Sequence, residues 1–303
     1  MSQYYESKNM FLEPEVKQYG SHMVMTNVVL PPKKKFVNID TRFRDTYDYT
    51  SQANYTMTLP EKVTNVKSMQ LRSMELPMTF YNFSKALGNN TFQVTLKNGE
   101  TVVADHTFTV PDGKYTETTL AEAVNAALAG ENAFTKVKFS ITNKRAKFKN
   151  EYDHHSCVIT FGEHTNNLKE MFGWALGYRL STYTIPEKHE QQSDAFISIA
   201  GPKYIYVVLD EFKNGNPYSF LGLSNTSQLS SQQILARITM DYDKYPFGRT
   251  LVAEQYNYAL SDVRKYDNEI DFQRFQLRLV NEFGRTMDLN GMDFSLCLEL
   301  EHL

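Results

Sequence analysis

Cysteine is nearly missing from this chain of 303 residues: Cys157 and Cys297 are the only two. That excludes a disulfide framework and a zinc domain built on cysteines. Tryptophan is scarcer still, with Trp174 alone. No apolar run reaches the roughly 18 residues of a membrane-spanning helix. Met1 to Met10 has no basic start followed by an apolar stretch, so no secretory signal is expected. An excess of one charge is also lacking: 32 Lys and Arg against 35 Asp and Glu leave −3, which argues against a dedicated nucleic-acid binder. Catalytic signatures are wanting too. There is no Gly-x-Ser-x-Gly elbow, and Gly113-Lys114-Tyr115-Thr116 lacks the upstream glycine of a phosphate cradle. What the chain does hold is 41% hydrophobic residues, ordinary for a folded protein, and 13% aromatic ones, as 20 Phe and 19 Tyr. Phe and Tyr fit a pleated, half-buried surface, and Tyr also suits interfaces.

Residues 1–35 read as an extended N-terminal arm. They mix Gln, Tyr, Ser, Lys and Glu without a sustained period and end in Pro31-Pro32-Lys33-Lys34-Lys35. A terminal segment without a core of its own needs a neighbour to order it. From Phe36 the chain reads as short strands. In Val63 to Leu76, Met69 and Leu71 share one phase while Met74 and Leu76 share the other, so a β-bulge is expected near Ser73. Phe92, Val94 and Leu96 lead into Asn98-Gly99, a hairpin signal, with Val102 to Val110 as partner. Val137 to Ile141 turns at Asn143-Lys144 into Ala146 to Lys149. Cys157 to Phe161, Phe196 to Ile199, Tyr204 to Leu209, Ile234 to Met240, Phe275 to Leu279 and Phe294 to Leu300 are further strands by length or alternation. One segment has helical period: Leu120, Ala123, Val124, Ala127 and Leu128, with Thr119 and Glu122 as capping box and Gly130 as left-handed cap. A shorter helix is expected around Asn167 to Phe172. Many strands and one good helix predict an all-β chain, a β-sandwich or a jelly roll.

Chemistry-bearing clusters are few. His154, His155, Cys157 and His164 are metal-binding types, but their spacing fits no standard site and reads as a polar loop. Asp241 and Asp243 lack the glycine-bearing loop of a calcium site. Asp210-Glu211 and Glu299-Glu301 read as solvated strand edges. Lys136, Lys138, Lys144, Arg145, Lys147 and Lys149 form a basic hairpin, read as a charged outer face rather than a phosphate site. Trp174, in a glycine-flanked apolar run, reads as buried packing. Sequons occur at Asn54, Asn82, Asn89 and Asn225.

Several stretches resemble a family of capsid proteins from large icosahedral double-stranded DNA viruses, the nucleocytoplasmic group. They are Phe36-Val37-Asn38-Ile39-Asp40-Thr41-Arg42-Phe43-Arg44-Asp45, Asn54 to Pro60, Val66 to Pro77 with Tyr81-Asn82-Phe83-Ser84, Leu176-Gly177-Tyr178-Arg179 before Tyr183, Gly201-Pro202-Lys203-Tyr204 with Val208 to Phe212, and Asn281 to Leu296. In this order they cover most of residues 36–303. The resemblance implies a single jelly roll of two packed antiparallel sheets, with loop or small-domain insertions around 136–200. It implies a virion protein assembled in the host cytoplasm: the pentameric vertex (penton) protein, or a minor protein bracing the major capsid lattice. Its partners would be further copies of itself, the major capsid protein and other minor capsid proteins, with no specific nucleic acid and membrane contact left open. It brings no catalytic residue, metal or cofactor. Lys33, Lys34, Lys35, Arg42 and Arg44 are the candidate partner contacts, with Arg42, Arg44 and Asp45 as a charge clamp holding the arm to a neighbour. Asp288 and Asn290-Gly291 are expected to turn Phe275–Val280 back beside Phe294–Leu300, with Leu279 and Leu296 in the core and Arg278 and Glu299 facing outward. Two other classes stand beside this one. A glycan-binding β-sandwich would need exposed aromatics, and a cupin-type enzyme would need metal at His154, His155 and His164.

Overall fold

The computed structural model describes residues 16–19, 22–25, 31–47, 50–162, 168–212 and 233–303. Asn167, His164 and Asn225 lie outside them. Within the stretch read as an arm, β1 (Val16–Tyr19) and β2 (His22–Met25) pair as a small antiparallel hairpin.

The organising element is a single long strand. After β3 (Lys33–Asp40), β4 runs from Asn54 to Pro77. The next two strands form a hairpin, β5 (Thr91–Asn98) and β6 (Thr101–Thr109). Then come α1 (Glu117–Gly130), β7 (Val137–Thr142), β8 (Arg145–Asn150) and β9 (Ser156–Thr160). They are followed by α2 (Phe172–Ala175), β10 (Thr182–Ile185) and β11 (Glu190–Gln192). The chain ends with β12 (Tyr204–Asp210), β13 (Ile234–Thr239), β14 (Thr250–Gln255), β15 (Tyr258–Leu260), β16 (Arg264–Asn281) and β17 (Ser295–His302).

Along the C-terminal half of β4, β17 takes one edge, while β14 pairs with Ser73–Pro77 on the other. Along its N-terminal half, β16 takes over that second edge. One antiparallel sheet is therefore β3-β17-β4-β14, and the other is β4-β16-β12-β13, with β4 common to both. This is the strand order of a jelly roll. Side chains facing inward alternate along each strand, as the pleat requires. Met69, Leu71, Met74, Leu76, Val207, Phe275, Leu279, Leu296 and Leu298 are buried in one core. The phase change in β4 is a bulge at Arg72: Cys297 faces Ser73 while Leu298 faces Leu71. The extra residue lets Met74 and Leu76 point the same way as Met69 and Leu71.

Between Met78 and Lys203 the chain builds a second core of its own. Phe83, Phe92, Phe108, Phe148 and Phe172 pack with Leu120, Val124 and Leu128 of α1. Phe92 stacks on Phe108 and on Phe172 at centroid distances of 5.4 Å. This core lies under a four-stranded sheet, β10-β9-β5-β6, and a three-stranded one, β11-β8-β7.

Four local expectations change. The helix begins earlier, because Thr116 caps it and the Thr116 and Thr119 hydroxyls exchange bonds with each other's backbone N–H. Gly130 closes α1 as its last helical residue rather than as a left-handed cap. Phe196 to Ile199 forms no strand: Ile197 N–H donates to Lys144 O while Ser198 N–H donates to Ala175 O, two different partners rather than one ladder. Finally, β16 and β17 are not neighbours, since β4 lies between them. The turn at Asn290 (φ 53°) and Gly291 (φ 77°), tied by Asn290 N–H to Asp288 Oδ1 at 2.8 Å, carries the chain from one sheet to the other. Leu279 and Leu296 are nevertheless both core.

Candidate functional site

The expected contact residues start on the edge strand. Lys33, Lys34 and Lys35 are the first residues of β3, opposite His302, Glu301 and Leu300. Lys34 pairs with Glu299 at 2.6 Å and Lys35 with Glu61 at 2.9 Å. Glu299 is covered by Lys34 and Arg72 and is 6% exposed, so it is not a solvated edge; its bond to Lys34 holds its carboxyl below the usual range. Arg42 folds back on Asp40 at 2.6 Å and remains largely exposed. Arg44 is turned into its own chain. Its side chain is 1% exposed and bonds Asp293 at 2.7 Å. It also donates to the carbonyls of Thr41, Tyr47 and Thr50. A guanidinium satisfied in this way holds its own chain together.

Of the metal-binding types, His164 lies outside the described residues and the other three do not converge. His154 is exposed and His155 half-buried, while Cys157 sits in the second core, where burial pushes its thiol up to about 12. Among the described residues no group of three or more His, Cys, Asp or Glu is placed to hold an ion. Asp241 works as a turn residue, accepting from Lys244 N–H at 3.0 Å and from the Tyr258 hydroxyl at 2.9 Å. Glu211 is buried against Arg264 at 2.7 Å, contrary to the solvated-edge reading. The basic hairpin is β7–β8, and three of its lysines are matched by acids. Lys144 pairs with Glu117, Lys147 with Glu190 at 2.8 Å and Lys149 with Glu151 at 2.9 Å. Arg145 lies over the Phe196 ring at 4.8 Å. Of the sequons, Asn82 is 5% exposed and its amide donates to Tyr115 O and Ile199 O.

A cleft of about 390 Å³ opens where the two cores meet. Sequence reasoning missed it, because its walls come from distant segments. The jelly roll contributes Lys203, Tyr204, Glu282 and Arg285, the second unit contributes Glu170, Trp174 and Arg179, and Tyr81 comes from the segment that joins the two. Trp174 is half-buried rather than core, and the Arg179 guanidinium lies over its ring at 4.0 Å. Arg179 is held there by its own bond to Trp174 O at 2.9 Å. Gly177 makes this bend possible: at φ 93° its α-carbon faces Ala195 O, where a Cβ would sit 2.2 Å away. On the other wall, Gly201 at φ 119° leaves room for the Tyr242 hydroxyl, which donates to Pro202 O at 2.7 Å. Arg285 forms an ion pair with Glu170 across the cleft. Glu282 Oε2 is buried without a hydrogen-bond partner. Burial raises its carboxyl above the usual range, and the charge of Lys203 acts the other way. The lining includes no cysteine and no histidine; its ionisable groups are carboxylates, lysines and arginines.

No protein-family model matches the chain, and no curated protein matches it. Two solved structures align with 89% of it. One is a crystal structure of the selenomethionine-labelled mavirus penton protein, 13% identical, with a TM-score of 0.45 and 100% of that chain covered. The other is from the cryo-EM structure of the Sputnik virophage at 3.5 Å resolution, 12% identical, with a TM-score of 0.45 and 98% of that chain covered.

Proposed function

We propose that the chain is a structural protein of the icosahedral capsid of a large double-stranded DNA virus, namely its pentameric vertex protein. The observation that carries this reading is the free edge of the jelly roll. Among the described residues β3 closes its sheet with one edge unpaired, and Phe36 on it is 54% exposed. Beyond it Phe43 and Met292 are 76% and 50% exposed, on the two segments that Arg44 and Asp293 tie together. A ring of identical subunits closes through two different patches on each copy, and an open strand edge with exposed apolar side chains suits one of them. Two of the stretches that carry the capsid resemblance, 36–45 and the last residues of 281–296, lie together here through Thr41, Arg44, Asp293 and Phe294, which supports the same reading.

The partners are then further copies of the chain, the major capsid protein and other minor capsid proteins, in a virion assembled in the host cytoplasm. No reaction is assigned to it. Sedimentation of recombinant protein tests the assignment. Five chains of 35.0 kDa give a particle of about 175 kDa. Phe36→Asp should release folded monomer. A wild-type chain that stays monomeric or dimeric at high concentration instead fits the minor, lattice-bracing role and ends the vertex assignment.

A further inference from the structure

We infer that the cleft between the two cores is a saccharide-binding site. Its volume of about 390 Å³ falls within the range of small-molecule sites, roughly 300–1,000 Å³. The decisive feature is Glu282 Oε2, a buried carboxylate oxygen with no donor. Such an atom is costly unless something supplies a hydrogen bond. The rest of the lining selects the ligand class. Both signs are present: Arg179, Lys203 and Arg285 stand against Glu170, Glu282 and Asp288. A phosphate-bearing ligand would meet the carboxylates, and a cationic peptide would meet the guanidinium and ammonium groups. A neutral polyol meets neither penalty, because each hydroxyl both donates and accepts. Tyr81, Trp174 and Phe283 add aromatic lining, with Arg179 over the Trp174 ring and Phe247 stacked on Tyr81, of the kind that packs against the apolar face of a pyranose ring. The glycan-binding class needs accessible aromatics, and Trp174, read from the sequence as buried packing, is instead half-buried in the cleft.

The inference is independent of the assembly reading, since a chain can form pentamers and bind no sugar. Trp174 is the only tryptophan, so its emission reports on the cleft alone. The full chain is first screened on an array of neutral and acidic oligosaccharides, and each hit is then titrated by tryptophan fluorescence. A neutral saccharide should produce a saturable change in emission. Glu282→Gln and, on the same wall, Lys203→Ala should each weaken it by about tenfold with unchanged melting temperature, as expected for loss of a charge-assisted bond. Three results overturn the proposal: no hit, hits confined to acidic saccharides without a change in emission, or affinities equal to wild type in both variants.

Discussion

Arg44 and Asp293 are separated by 249 residues, yet the guanidinium Nη1 and the carboxylate Oδ1 lie 2.7 Å apart. The same carboxylate accepts from the Thr41 hydroxyl at 2.8 Å and, through its other oxygen, from the Tyr47 hydroxyl at 2.9 Å. Thr41 N–H and Phe294 N–H complete the clasp, donating to Phe294 O at 3.0 Å and to the Thr41 hydroxyl at 2.9 Å. One acidic side chain thus joins the segment after β3 to the segment before β17. Asp293→Ala leaves a buried guanidinium without its counter-charge, a class of change that costs about 3–5 kcal/mol. Urea unfolding of the variant should show a loss at the lower end of that range. A loss below about 1 kcal/mol would mean that the pair is ornamental.

Gly177→Ala should destabilise the chain by about 2–4 kcal/mol, since it adds backbone strain at φ 93° to a collision with Ala195 O. The change also moves Arg179, which follows two residues later. Tryptophan emission should therefore shift in the folded variant. Thermal melts and emission spectra check both halves, and an unaltered melt would contradict the observed close approach.

Lys114 makes stability depend on pH in an unusual direction. Its ammonium donates to Ala200 O and lies over the Tyr242 ring at 4.5 Å, and burial lowers its pKa from 10.5 to about 8. Between those values the unfolded chain holds a proton that the folded chain has released. The contribution of Lys114 to stability therefore rises with pH across that window and is least below about pH 8. Relative to Lys114→Met, the wild type should gain in urea midpoint between pH 8 and 10.5. Parallel curves for the two proteins would refute the assignment.

The β7–β8 hairpin should not retain the protein on heparin at moderate salt, because Lys144, Lys147 and Lys149 face Glu117, Glu190 and Glu151. Each exposed pair contributes at most about 1 kcal/mol to folding, so neutralising the acids leaves the fold intact. The double variant Glu151→Gln, Glu190→Gln should elute from heparin at higher salt than the wild type. Identical elution would show that the acids do not mask the hairpin.

Local backbone chemistry was readable from the residues alone. Asn143 and Lys144 adopt φ of 50° and 60°, the double positive turn that the Asn-Lys pair between two alternating runs implies. The phase change around Ser73 is the Arg72 bulge. The helical period of Leu120, Val124 and Leu128 is the buried stripe of α1. The misreadings share one feature, a dependence on which distant segment lies alongside. Phe196 to Ile199 has strand composition, but its N–H groups find two different acceptors. Glu211 has the look of an edge carboxylate until Arg264 is placed against it.

Alternation, turn residues and aromatic content therefore determined by themselves that the chain is all-β, where most strands lie and which side of each faces inward. Those properties follow from torsion preferences and a period of two, both of which act over a few residues. Only the tertiary structure decided that β4 serves two sheets, that it separates β16 from β17, that Arg44 is held within its own chain and that Glu282 and Trp174 line one cleft. Each of these is a meeting of segments far apart in sequence. Such a meeting depends on the closure of long loops and the packing of whole faces, and no local pattern of residues encodes it.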